Sequence, residues 1–138
     1  MNIMEYFEQG YRLNEEIACK IEQLDVLNAL AGKTTSTLSG MPHAAGHEGS
    51  KLEDTILKIV DLQEEINADI DRLVDLKKEM MRMIALVEDK DQRLILELRY
   101  LCMATWPEIA AKLNYSSRRV QQIHDDALKK ITIFPGAI

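Results

Sequence analysis

The chain has 138 residues, 46% of them hydrophobic and 29% charged, with a formal net charge of −6. That length holds one modest domain, or a small domain with an extended helical arm. No apolar run approaches the ~20 residues of a membrane span, and the N-terminus MNIMEYFEQG has neither a basic flank nor a cleavage signature, so the expectation is a cytoplasmic protein with no membrane partner.

Aromatic residues make up only 5% of the chain. That scarcity suits leucine and isoleucine seams better than a broad sheet core, and no alternating strand pattern persists between turn signals, so the predicted fold class is all-α. The first predicted helix covers residues 3–31, with Ile3, Phe7, Ile17, Ile21, Leu24 and Ala31 at heptad spacing and Gly10, Asn14 and Asn28 interrupting it. Residues 32–50, GKTTSTLSGMPHAAGHEGS, read as a flexible loop rich in Gly, Ser and Thr. Gly32, Lys33 and Thr34 imitate the end of a phosphate-binding loop, but Leu27 stands where its first glycine belongs and a helix precedes it instead of a strand. His43 and His47 are four apart, yet Pro42, Gly46 and Gly49 disfavour the helix that would align them, so no metal site is expected.

A second helix is predicted over residues 51–87. Leu52, Ile56, Ile59, Ile66, Ile70, Leu73, Met80, Ile84 and Val87 form its stripe, broken by Gln63 and Lys77. Two helices this long cannot each be buried alone, so their seams face each other as an antiparallel hairpin or face another chain. Met80, Met81 and Met83 are expected to fill the junction between this 1–87 arm and a C-terminal domain over 88–138, since methionine adapts to irregular packing. Cys19 and Cys102 are expected as reduced thiols in or near the core.

The C-terminal part is the most specific. In WPEIAAKLNYSSRRVQQI, Thr105 can cap a helix whose third residue, Glu108, reaches back to the cap, and Pro107 is tolerated in the first turn. Ile109, Ala110 and Leu113 gather on one face, and Asn114 can take the left-handed conformation that ends the helix. Tyr115 is expected beneath the turn and Ser116 at the next N-cap, after which Val120, Ile123 and Ala127 form an inner stripe. The outer face is then polar, as a helix-turn-helix that enters DNA requires. Arginine and glutamine make bidentate bonds to guanine and adenine edges, so Arg118, Gln121 and Gln122 are the candidate base readers, with Ser117 and Arg119 placed for phosphates. Asp125 would repel phosphate, which directs the contacts to the helix's N-terminal turns. His124 reads as a packing or phosphate-contacting residue, because no nucleophile, base and orienter fall together anywhere in the chain. No catalytic role and no cofactor are expected.

The stretch RLILELRYLCMATWPEIAAKLNYSSRRVQQIHDDALKKI, Arg93 to Ile131, resembles region 4 of sigma-70-type RNA polymerase factors: LRYL at Leu98 to Leu101, EIA at Glu108 to Ala110, then a serine-capped helix ending in a leucine and basic residues. With LNEEIACKIEQL, TTSTLSGMP and INADIDRLVDLKKEM, the whole chain looks like a short phage-encoded family similar to the ArpU and RinA late-gene regulators. The resemblance implies a phage transcriptional regulator with DNA as partner, and nothing upstream resembles sigma region 2. The alternative class is a DNA-packaging adaptor or other non-catalytic helical interaction protein.

Charge qualifies that reading. Residues 1–87 carry 9 Lys and Arg against 16 Asp and Glu, whereas residues 88–138 carry 8 against 7. A net +1 is feeble for an independent DNA binder, so help is expected from bacterial RNA polymerase beside the promoter or from a homo-oligomer formed through the arm.

Overall fold

The computed structural model describes the backbone of residues 2–40 and 45–131 and the side chains of residues 2–33 and 51–131. Among them no strand occurs. Five α-helices follow one another: α1 (Ile3–Gly40), α2 (Ala45–Ala85), α3 (Lys90–Leu96), α4 (Trp106–Leu113) and α5 (Ser117–Lys130). A π-turn over Glu97–Leu101 continues α3. The protein is all-α, with two long helices ahead of a helix-turn-helix.

Asn2 and Glu5 start α1 by reciprocal capping. The Asn2 side-chain oxygen accepts from the Glu5 N–H at 2.8 Å and the Glu5 carboxylate accepts from the Asn2 N–H at 3.2 Å. The helix runs past residue 31, where composition predicts its end, to Gly40. A single interior glycine such as Gly32 costs only about 1 kcal/mol, too little to stop a helix already propagating through eight turns. α2 likewise begins earlier than predicted, at Ala45. His43 lies outside the described residues, as does the side chain of His47.

The contacts divide into two compact units, one made of the chain up to Leu13 together with everything from Arg72 onward, the other of Asn14–Asp71. The first turns of α1 and the last turns of α2 therefore share a unit with the helix-turn-helix, where charge alone draws the division at residue 87.

Asn14–Asp71 is a stretch of antiparallel helix pair. Ile17, Leu62 and Ile66 are buried in it, and Lys20 donates to the buried Asp69 carboxylate at 2.6 Å, with Glu65 at 3.8 Å. The two seams face each other here. On α2 the inward stripe is Leu52, Thr55, Ile59, Leu62, Ile66 and Asp69, all buried or half-buried, in strict alternation of three and four. The predicted stripe shares Leu52, Ile59 and Ile66 with it, and its Leu73, Met80, Ile84 and Val87 are also buried or half-buried, but it includes Ile56 and Ile70, which are exposed, and omits Leu62. Polar Thr55 and Asp69 disguise the true seam, because a search for apolar spacing rejects both positions.

In the other unit, Tyr6, Phe7, Met80, Met83, Ile84, Val87, Leu96, Tyr100, Ala127 and Leu128 form one buried cluster. Ile95, Ala104, Ile109, Ala110, Val120 and Ile123 form a second. Each fully buried side chain of this size contributes roughly 1.5–3 kcal/mol. Of the three expected junction methionines, Met80 and Met83 are buried and Met81 is exposed. Gly10, read as an interruption of the seam, is instead a close-approach point, where a Cβ would stand 3.4 Å from the Met80 methyl carbon. Cys19 and Cys102 are both free and exposed, contrary to the near-core expectation. No described helix is long and apolar enough to cross a membrane.

Candidate nucleic-acid interface

Local chemistry builds the helix-turn-helix. The Thr105 hydroxyl accepts from the Glu108 N–H at 3.3 Å, and Pro107 occupies the first turn of α4, where a missing donor is harmless. α4 ends on Asn114 in the left-handed region, φ 58 and ψ 38. Its N–H returns to the Ala110 carbonyl. Ser116 then caps α5 by accepting from the Arg119 N–H at 3.1 Å. Tyr115 departs from expectation. It lies exposed, with its hydroxyl donating to the Asp91 carboxylate at 2.8 Å, so it ties the turn to α3 from outside instead of packing beneath it.

α5 presents two faces. Val120, Ile123, His124, Ala127 and Leu128 are buried. Arg118, Arg119, Gln121 and Gln122 are exposed and Ser117, the first helical residue, is half-buried. All five candidate contact residues thus stand within the first two turns, and the Arg119 guanidinium lies 3.5 Å from the Gln122 side-chain oxygen. The exposed Asp125 carboxylate is engaged by His124 Nδ1 at 3.0 Å, which directs part of its charge toward the protein.

His124 is only 1% exposed, so phosphate contact is excluded and its role is packing. Its Nε2 lies 2.5 Å from the Tyr100 hydroxyl, and the Trp106 ring meets it edge-on at 4.8 Å. Burial lowers its pKa below the ordinary value, with the Asp125 hydrogen bond opposing the shift.

The π-turn positions these partners. The Cys102 N–H reaches the Glu97 carbonyl at 3.1 Å, and Met103 follows with a left-handed φ of 56. Tyr11 secures the turn by donating to the carbonyls of Arg99 and Ala104 at 2.6 and 2.8 Å. Arg99 is not available to DNA, since its guanidinium is stacked between the Tyr11 and Trp106 rings at 4.2 Å from each centroid. Lys90 and Lys112 are exposed cations near the motif that base-reading logic passes over, since neither lies on α5. Among the described residues no three His, Cys, Asp or Glu side chains stand together as metal ligands.

The family model for Sigma-70, region 4 matches residues 89–132. These helices are a sigma-70 region 4-like helix-turn-helix. The match spans α3, the π-turn, α4 and α5 and leaves both long helices entirely outside it. Region 4 is a DNA-binding, non-catalytic type of domain. No curated protein and no solved structure matches the chain.

Proposed function

We propose that this protein is a transcriptional regulator that binds double-stranded promoter DNA by placing the first two turns of α5 in the major groove. Arg118, Gln121 and Gln122 read base edges, while Ser117 and Arg119 hold phosphates. The observation that carries this reading is the exposed, polar N-terminal half of α5 on a capped, tightly packed region 4-like motif. Its resemblance to phage late-gene regulators supports a role in phage transcription in the cytoplasm of a bacterial host. The near-neutral C-terminal charge makes RNA polymerase the natural second partner, because a polymerase already on the promoter supplies affinity that charge does not. The long helices ahead of the motif act as an arm for protein contacts.

Fluorescence anisotropy on a labelled promoter duplex, titrated at several salt concentrations, tests the assignment. Arg119→Ala should weaken binding to every duplex alike and flatten the salt slope by about one. Arg118→Ala and Gln122→Ala should each relax preference at one base position by about 1–3 kcal/mol. If neither substitution alters affinity or preference, α5 is not the reading helix.

A further inference from the structure

α2 carries a second apolar stripe beside its seam. Ile56, Val60, Ile70 and Val74 are 46%, 43%, 40% and 44% exposed. Gln63 and Asn67, both exposed, complete the same alternation of four and three between them. Along the helix the order is Ile, Val, Gln, Asn, Ile, Val, and it has a centre. A copy turned end for end sets Ile56 against Val74, Val60 against Ile70 and Gln63 against Asn67, so apolar meets apolar and amide meets amide in every layer. The next layer sets Glu53 against Lys77, opposite charges, the half-buried Lys77 ammonium also donating to the Leu101 carbonyl of its own chain at 3.1 Å. In a parallel arrangement those two layers would instead pair Glu53 with Glu53 and Lys77 with Lys77.

We propose that this face is a homodimer interface, in which two copies pack their α2 helices antiparallel about a two-fold axis beside residue 65. A two-fold contact uses one patch on both copies and so demands self-complementarity, a property that an unrelated partner would not impose. The amide layer fixes the register, since any shift would bury Gln63 or Asn67 against an isoleucine or valine. The face is short, spanning about 27 Å from Ile56 to Val74. Its apolar side chains are already roughly half covered, so it falls below the ~1,600 Å² of a standard interface. The isolated dimer is accordingly weak, with a Kd on the order of 10 µM or more. Glu64 meets its own copy near the axis, so moderate salt favours association.

The register is tested on the full-length protein without DNA, which keeps the outcome independent of the DNA-binding reading. In a background with Cys19 and Cys102 changed to serine, Val60→Cys and Ile70→Cys are made separately and oxidised alone or mixed. The mixture should cross-link at least tenfold more than either variant alone, because like positions lie ten residues, about 15 Å, out of register and beyond disulfide reach. Sedimentation velocity of the unsubstituted chain up to about 200 µM should show a rise toward dimer. Val60→Lys should stay monomeric with an unchanged helical melting curve. A chain monomeric throughout, a single-cysteine variant that cross-links as well as the mixture, or a Val60→Lys protein that dimerises normally would each overturn the proposal.

Discussion

Replacing Tyr100 with phenylalanine removes one oxygen atom and should lower stability by about 1–3 kcal/mol. The Tyr100 side chain is fully buried, and its hydroxyl lies 2.5 Å from Nε2 of the equally buried His124, whose Nδ1 faces Asp125 at 3.0 Å. An ionised carboxylate only accepts, so Nδ1 carries the proton and Nε2 accepts from the tyrosine. Phenylalanine leaves that lone pair buried without a donor. It keeps the ring that meets Phe7 at 4.8 Å, so the loss measures the hydrogen bond and not a cavity. The same geometry sets a pH dependence. An unfolded histidine takes up a proton below about pH 6.5, whereas burial keeps folded His124 neutral to lower pH. Its contribution is therefore complete above that pH and is lost as pH falls through the folded value, at up to about 1.4 kcal/mol per pH unit. Urea unfolding of the wild-type, Tyr100→Phe and His124→Phe proteins between pH 5 and about 8 reads both effects. An unchanged midpoint in Tyr100→Phe, or a pH slope in His124→Phe equal to that of the wild type, would refute the account of how α5 is anchored.

Two further substitutions probe the turn and the helix junction. Asn114→Gly should be neutral or slightly stabilising, whereas Asn114→Val should cost about 1–2 kcal/mol because a β-branched residue resists a φ of 58; equal melting temperatures would contradict the turn. Gly10→Ala should stabilise by about 0.5–1 kcal/mol, since the added methyl meets only the flexible ends of Met80 at 3.4 Å and Met103 at 3.6 Å while helix propensity improves, and a lower thermal midpoint would show that these methionines cannot yield.

The helix-turn-helix was legible because its signals are local. Thr105, Pro107, Asn114 and Ser116 each perform at their own position what their side chains allow, so spacing alone locates α4, the turn and α5. Residues whose role depends on distant partners were not legible. Nothing near Tyr11 in sequence signals that its hydroxyl closes the turn after Leu101, and Arg99 resembles any surface arginine until two rings enclose it. Met103 carries no mark of its left-handed backbone. Tyr115 looked like a core aromatic because apolar periodicity does not register that Asp91 is waiting outside. The arm's composition predicts two packed helices, and apolar spacing locates most of the α2 seam while admitting the exposed Ile56 and Ile70 and passing over Thr55, Leu62 and Asp69. α2 has two apolar stripes, and the buried one contains an aspartate matched to Lys20 across the pair.

Selection of binding sites from a randomised duplex library, carried out in parallel with the wild-type chain and with Arg118→Ala and Gln122→Ala variants, measures base reading by α5 directly. The account predicts that the wild-type chain enriches a defined sequence and that each variant enriches the same sequence with preference lost at one position, a different one for each. Recovery of no sequence by the wild-type chain, or of an identical sequence by all three proteins, would contradict it.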